Sequence, residues 1–274
     1  MFIALFKLSR PVNVLIAFLT VVIAAELAGG LTPLTNALLA AIVAALITTG
    51  ANVINDYYDI AIDRVNKPYR PLAAGVISQN MALNYFILVY FMAWAIAWTL
   101  GLPLFLIAVT ISILLFFYSY KLKRTVLAGN LTVSFATAMA FIFGGGAVFH
   151  YKQALFPALF AFFFHLGREI LKDVQDQEGD GQDGAITLPL KYGIKKSLLL
   201  MTIVFIIVVI LTLIPYILEV YSLWYFLTVC IGVYPVLVFV AFQSWKNNSP
   251  EYLGYLSNLL KVDMLIGLLA IYLR

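Results

Sequence analysis

The sequence predicts an all-α, polytopic membrane protein with nine transmembrane helices. Three observations lead there. Of 274 residues, 64% are hydrophobic and only 11% charged, with a mean hydropathy of +1.00; a soluble domain has roughly 45–50% apolar and about 25% charged residues. The apolar residues fall into nine runs, each near the roughly 20 residues a helix needs to cross a bilayer. The Lys and Arg residues, finally, gather at alternate ends of those runs.

The runs lie near 12–31, 35–55, 81–100, 102–120, 126–149, 154–172, 197–218, 221–243 and 256–273. The first, within "MFIALFKLSRPVNVLIAFLTVVIAAELAGG", is too long after Arg10 for the apolar region of a cleaved signal and reads as a span. Gly, Pro and Asn mark the turns in "GGLTPLTN", "LGLP" and "KNNSPE". No shift of composition suggests a soluble second domain, so residues 1–274 read as a single transmembrane domain. Assigning loops alternately to the two faces puts 15 of the 17 Lys and Arg on one face, leaving Lys152 and Arg274 on the other. Cytoplasmic loops carry the excess of positive charge. The N-terminus and the charge-rich loops are therefore expected in the cytoplasm, in the cell membrane, with the C-terminus outside. The basic pI near 9.0 is explained by these loops. No nucleic-acid-binding or nucleotide-cradling motif is present. Cys230 is single and lies in an apolar run, which excludes an intrachain disulfide.

Acidic residues are distributed unevenly. Nine of the 13 lie in two stretches: Asp56, Asp59 and Asp63, then Glu169, Asp173, Asp176, Glu178, Asp180 and Asp183. Asp56, Asp59 and Asp63 are spaced D-x-x-D-x-x-x-D, and so are Asp173, Asp176 and Asp180, 117 residues later. Each triad closes an even-numbered expected helix, the second and the sixth, the pattern of a diverged internal duplication. On a helix these positions fall within an arc of roughly 60°. Carboxylates on one face repel one another, and at a membrane edge their charge costs more. A bound divalent cation relieves both costs. An oxygen-only donor set suits Mg2+, which takes one or two carboxylates, substrate phosphate oxygens and waters. After the first triad, Pro68 and Pro71 in "NKPYRPLAAG" forbid a continuous helix. The resulting loop can turn Lys67 and Arg70 back toward the carboxylates. Solvated loops capping membrane helices would also be charged, but two triads of one spacing beside Lys67, Arg70, Arg168 and Lys172 point to a site.

These residues resemble the UbiA superfamily of intramembrane prenyltransferases. "NDYYDIAIDRVNKPYRPLAAG" carries every fixed position of its first aspartate-rich motif: Asn55, Asp56, Asp59, Asp63, Asn66, Lys67, Pro68, Arg70, Pro71 and Gly75. "GREILKDVQDQEGDGQDGAITLPLKYG" resembles the second, with Asp173, Asp176, Asp180, Gly184, Thr187, Leu188 and Pro189. "YSYKLKRTVLAGN", from Tyr118 to Asn130, looks like the basic loop between the fourth and fifth helices. Within the superfamily, "REILKDVQDQEGD" and the short N-terminus look most like the archaeal-type members that form lipid ethers. The ending "LAAG" departs from a commoner Pro-Ser-Gly ending and replaces no ligand.

The resemblance implies nine helices around a central cavity and an enzyme that moves a prenyl group from a polyprenyl diphosphate, here geranylgeranyl diphosphate, to a lipid or aromatic acceptor. It implies Mg2+ held by Asn55, Asp59 and Asp63 and by Asp176 and Asp180. Asp56 and Asp173 are further ligands or support the ligands. Lys67, Arg70, Lys121 and Arg124 are expected on the diphosphate, Tyr118 near the reacting centre, and Arg168 and Lys172 on a substrate phosphate. The acceptor is either geranylgeranylglyceryl phosphate or an aromatic acid such as 4-hydroxybenzoate or a naphthoate. A secondary transporter is the non-enzymatic alternative, but transporters tend to place their carboxylates at the midplane of broken helices. Membrane enzymes that join alcohols to nucleotide-activated lipids are excluded by the missing D-G-x-x-A-R motif.

Overall fold

The computed structural model describes residues 2–182 and 184–274, and for Val65, Asn66 and Gln182 the backbone alone. Among the described residues there are helices and turns and no strand. In chain order the helices are α1 (Phe2–Leu8), α2 (Pro11–Gly29), α3 (Leu34–Tyr58), α4 (Ile60–Asn66), α5 (Gln79–Thr99), α6 (Leu102–Tyr120), α7 (Ala128–Ala147), α8 (Leu155–Gln175), α9 (Gln177–Gln182), α10 (Leu188–Tyr192), α11 (Ile194–Ile217), α12 (Leu223–Thr228), α13 (Tyr234–Lys246) and α14 (Pro250–Tyr272). A 3₁₀ turn covers Leu122–Arg124, and a π-helical turn, Val229–Val233, joins α12 to α13.

The ends follow local chemistry. Pro11 and Pro250 open α2 and α14, where a missing N–H costs nothing. Ser78 caps α5 by accepting a hydrogen bond from the Met81 N–H at 3.2 Å. Gly193, at φ 87°, ends α10 and starts α11 in one residue.

Among the described residues, eight helices are long and apolar enough to cross a membrane: α2, α3, α5, α6, α7, α11, α12 with α13 as one span, and α14. They coincide with eight of the nine expected spans. The ninth, expected at 154–172, is the helix α8, but it does not meet that standard of apolarity. Its last two turns carry Arg168, Glu169, Lys172 and Asp173. The sequence thus supports a multi-pass membrane protein, with eight candidate spans by length and composition.

The chain forms two compact units. The first holds the chain through Leu122 together with Met139–Leu155, and the second holds Lys123–Ala138 and Phe156–Arg274. In the first, α3 packs against α2, α5 and α6 through Ala40, Ala41, Val43, Ile47, Val89, Ala93, Ala97 and Ala108. Small side chains suit a membrane interior, where close backbone approach replaces hydrophobic drive. The ring of Tyr90 lies where a Gly50 side chain would be, and Gly144 of α7 faces the Val21 carbonyl of α2. In the second unit, Gly167 of α8 receives the Phe205 ring of α11, and Gly232 in the π turn receives Ile266 of α14.

These contacts separate two glycines sharply. A methyl group on Gly144 would lie 2.6 Å from the Val21 carbonyl oxygen, whereas one on Gly267 would meet nothing within 4 Å. Gly144→Ala is expected to cost about 1–3 kcal/mol through overpacking. Gly267→Ala should be neutral or stabilise by up to about 1 kcal/mol. Thermal unfolding of the two purified variants in detergent checks this, and equal effects would contradict the close α2–α7 approach.

Candidate active site

The first motif sits where α3 gives way to α4. The helical hydrogen bonding passes through the junction: the Asp59 N–H donates to the Asn55 carbonyl at 3.0 Å and the Asp63 N–H to the Asp59 carbonyl at 2.8 Å. Only Asp59 itself leaves helical geometry, at φ −96° and ψ 5°. The three carboxylates therefore stay near one face. The Asn55 side-chain amide donates to Asp59 Oδ2 at 2.9 Å.

Asp56 and Asp63 are buried, at 2% and 5% exposure. Arg70 Nη1 donates to Asp56 Oδ1 at 3.0 Å and to Asp63 Oδ2 at 2.7 Å. The loop explains how it gets there. Pro68 and Pro71 stop the helix, and a turn closes through the Arg70 N–H on the Lys67 carbonyl at 3.0 Å and the Ala74 N–H on the Arg70 carbonyl at 2.8 Å. The guanidinium is thereby folded under the loop onto two buried carboxylates, whose charge would otherwise be costly. Lys67 points to the exterior and is exposed.

A third cation completes this group. Arg10 Nη2 donates to Asp56 Oδ1 as an ion pair. Sequence reasoning counted Arg10 only toward the charge asymmetry of the loops. Its position had one further signal, a charge placed directly before Pro11, where the right-handed helical conformation is disfavoured. Arg10 adopts φ 53° and ψ 72° and so sits in the left-handed region, at a cost of roughly 1–2 kcal/mol for a residue with a side chain. The segment is held in place. Asn52 Nδ2 of α3 donates to the Ser9 carbonyl at 2.9 Å, and Ser9 Oγ and Tyr85 Oη are 3.0 Å apart.

The second motif repeats the backbone of the first. The Asp176 N–H donates to the Lys172 carbonyl at 2.8 Å and the Asp180 N–H to the Asp176 carbonyl at 2.9 Å. Again the middle aspartate is the single residue between two helices, α8 and α9. Asp173 Oδ2 accepts from Asn130 Nδ2 at 2.9 Å. Glu169 accepts from Arg168 Nη1 at 2.9 Å and from Lys172 Nζ at 3.2 Å. Asp176 is exposed and Asp180 half-buried. The Ile186 N–H donates to the Arg124 carbonyl at 2.9 Å, which ties the basic loop to the tail of this motif. Tyr118 is half-buried near the end of α6, and Lys121 is exposed just beyond it. Asp183 and the Asn66 side chain lie outside the described residues.

The donors of each motif, taken separately, fit a hard divalent cation. Asn55, Asp59, Asp63, Asp176 and Asp180 offer carboxylate and amide oxygens, with no sulfur or imidazole among them. The fit is one of donor chemistry, since among the described residues no three acidic, His or Cys side chains stand together as a finished ligand group. Asp56 is set apart, because one of its oxygens is shared between two guanidiniums.

Removing the cations should rank them by the carboxylates they serve. Arg70→Ala leaves Asp63 without its guanidinium and Asp56 with Arg10 alone, whereas Arg10→Ala leaves Arg70 in place. Breaking a buried pair costs up to about 3–5 kcal/mol, so Arg70→Ala should lower the detergent Tm more than Arg10→Ala. Asp56→Asn should recover part of the loss in the Arg10→Ala background.

Known proteins place this arrangement. The chain is 34% identical over 261 residues to the digeranylgeranylglyceryl phosphate synthase of Methanosphaera stadtmanae, covering 95% of each chain. It is 33% identical over 264 residues to the enzyme of that name from Methanothermobacter thermautotrophicus, covering 96% of this chain and 93% of the other. A solved structure of digeranylgeranylglyceryl phosphate synthase superimposes with a TM-score of 0.87 at 32% identity, over 98% of this chain and 96% of the other. A UbiA homolog from Archaeoglobus fulgidus, solved bound to GPP and Mg2+, has a TM-score of 0.74 at 21% identity, over 98% of this chain and 99% of the other, and shares the fold. The profile of the UbiA prenyltransferase family matches residues 15–259, from the first long helix to within the last and through both aspartate motifs, and the chain belongs to that family.

Proposed function

We propose that this enzyme transfers a geranylgeranyl group from geranylgeranyl diphosphate to the hydroxyl of geranylgeranylglyceryl phosphate, forming an ether lipid, with Mg2+ as cofactor. The observation that carries the reading is the match to enzymes that bear this activity in their name, at about one third identity over nearly the whole length of both chains. In the reaction the bond from the allylic carbon of the donor to its diphosphate oxygen breaks, the acceptor oxygen bonds to that carbon, the hydroxyl proton leaves and diphosphate is released.

When bound, Mg2+ neutralises charge on the leaving diphosphate. The first motif would hold an ion through Asn55, Asp59 and Asp63, and the second through Asp176 and Asp180. Asp56 has the different task of positioning: paired with Arg10 and Arg70, it fixes the start of the proline loop. Asp173 is oriented by Asn130. Lys67, Lys121 and Arg124, with Arg70, supply positive charge for the diphosphate, and Tyr118 lies near the reacting carbon. The GPP and Mg2+ named for the Archaeoglobus fulgidus protein support a prenyl diphosphate donor on this fold.

The same reading treats residues 1–274 as one domain, with α8 as the ninth span and the N-terminus and both motifs on the cytoplasmic side. The family match running through both compact units supports the single domain. The charge asymmetry supports the sidedness.

Purified protein given labelled geranylgeranyl diphosphate should prenylate geranylgeranylglyceryl phosphate and leave 4-hydroxybenzoate and naphthoates unmodified. The reverse preference would replace the acceptor. Transport of a solute into proteoliposomes without product would replace the reaction. Activity should vanish with EDTA and return with Mg2+, and Asp59→Ala and Asp180→Ala should each lower kcat by at least about 100-fold, or some 2.7 kcal/mol, while remaining folded.

Sidedness is checked by cysteine labelling in a Cys230→Ser background. Exposed Ser78 and Lys196, replaced by Cys, should react from the cytoplasmic side, and exposed Gln153, replaced by Cys, from the opposite side. A reversed pattern at any of the three would break the nine-span arrangement.

A further inference from the structure

The helix α8 carries a polar stripe that the reaction as described uses only at its upper end. His165, Arg168, Glu169, Lys172, Asp173 and Asp176 recur every three or four residues and so share one face. The other faces are apolar and packed: Leu166, Ile170, Leu171 and Val174 are buried. Gly167 fixes the helix against α11, because the Phe205 ring occupies the space a side chain would need, 2.3 Å from its would-be Cβ. The stripe is therefore held in one orientation.

Within it the charges are partly matched. Glu169 is buried and is engaged by both neighbouring cations, Arg168 through Nη1 at 2.9 Å and Lys172 through Nζ at 3.2 Å. These three groups sum to one positive charge. Among the described residues, two nitrogens of the stripe have no hydrogen-bond partner and are shielded from solvent: Arg168 Nε and His165 Nδ1. Arg Nε–H can only donate, and His Nδ1–H donates in one tautomer. A buried donor left unpaired costs about 1–3 kcal/mol, so a pair of them one turn apart, beside a surplus positive charge, calls for an acceptor from outside the chain. Asp173, the nearest carboxylate on the stripe toward the second motif, is turned to Asn130 instead.

We infer that His165 and Arg168 form an anion site that takes the phosphate of the acceptor lipid. The inference rests on the reaction proposed above and assigns its second substrate a place. Arg168 lies five residues from Asp173, about 7.5 Å along the helix. The phosphate and the reacting hydroxyl of a glyceryl phosphate ether are on neighbouring carbons. Anchoring the phosphate at Arg168 lets the hydroxyl reach toward the aspartates. Glu169 is a positioning residue: it grips Arg168 by Nη1 and so leaves Nε turned to the ligand. The site distinguishes a phosphate monoester, with several acceptor oxygens and up to two charges, from an uncharged alcohol of the same chain.

The test uses full-length protein in detergent and two lipids, geranylgeranylglyceryl phosphate and its dephosphorylated counterpart geranylgeranylglycerol. In turnover, Arg168→Gln and His165→Ala should each raise the apparent KM for the phosphorylated acceptor about ten-fold or more, the loss expected for a charge-assisted hydrogen bond, with the donor KM changed less than about two-fold; Arg168→Lys should recover part of the loss. Without donor or Mg2+, the phosphorylated lipid should raise the wild-type Tm more than the alcohol does, and the variants should lose that preference. Should Arg168→Gln fail to fold, Arg168→Lys and His165→Asn carry the same comparison. An unchanged acceptor KM, a matching rise in donor KM, or a variant that still prefers the phosphorylated lipid would overturn the site. A wild-type protein that makes no ether, yet is stabilised by the phosphorylated lipid in a manner lost with His165→Ala, would overturn the reaction and leave the site standing.

Discussion

The bond of Asp56 to two guanidiniums is the interaction on which the first half of the site depends. Asp56 is 2% exposed, near the end of a helix whose preceding turns are apolar. An isolated carboxylate there would be strongly disfavoured, and its pairing has to come from somewhere. It comes from two directions in the chain: Arg10, 46 residues earlier, and Arg70, 14 residues later. One carboxylate thus joins the entry to α2, the end of α3 and the proline loop. Because Arg70 also takes Asp63, the last aspartate of the triad is fixed by the same guanidinium. In the middle of the motif the Asn55 side-chain amide donates to Asp59 Oδ2. A triad that looks uniform in sequence differs in its partners: Asp56 and Asp63 share the Arg70 guanidinium, and Asp59 accepts from Asn55.

The same division of labour explains the single-residue break at Asp59 and at Asp176. A helix that ran straight through the motif would hold all three carboxylates rigidly in a column. A helix that ended before it would scatter them. In both motifs the chain keeps its i to i+4 hydrogen bonds on either side of the middle aspartate, which alone falls between two helices. The two stretches share this backbone device and the spacing, yet differ in what surrounds them: guanidiniums on Asp56 and Asp63, an amide from Asn130 on Asp173. The two stretches thus have a backbone arrangement in common and different side-chain partners.

How much of this was legible in the sequence depends on the range of the interaction. The spans were legible because twenty consecutive apolar residues admit one explanation, and the spacing of the aspartates because helical periodicity is local. The return of Arg70 to the carboxylates could be foreseen, since Pro68 and Pro71 leave the loop few routes. Arg10 could not, because nothing near residue 10 announces a carboxylate at residue 56, and a charge before a first span already has an ordinary explanation in membrane orientation. Asn130 is similar: it stood within the quoted basic loop, but a neutral amide carries no signal until Asp173 is seen beside it. The burial of Ser197 at the start of α11 was equally hidden, since a serine beside two exposed lysines reads as a surface residue.

The helix α8 shows why such limits are sharpest where function lies. Apolarity is what makes a span readable, and α8 alone among the nine expected helices falls short of it. The residues responsible are Arg168, Glu169, Lys172 and Asp173, together with His165 one turn before them. Each is expensive near a membrane interior, and the expense is only partly offset by Glu169 between its two cations and by Asn130 on Asp173. A helix selected only to span would replace them with leucine and gain stability. Their presence on one face, away from the buried Leu166, Ile170, Leu171 and Val174, fits the anion site proposed above. The weakness of α8 as a span and its strength as a candidate binding surface are one property, seen first as hydropathy and then as chemistry.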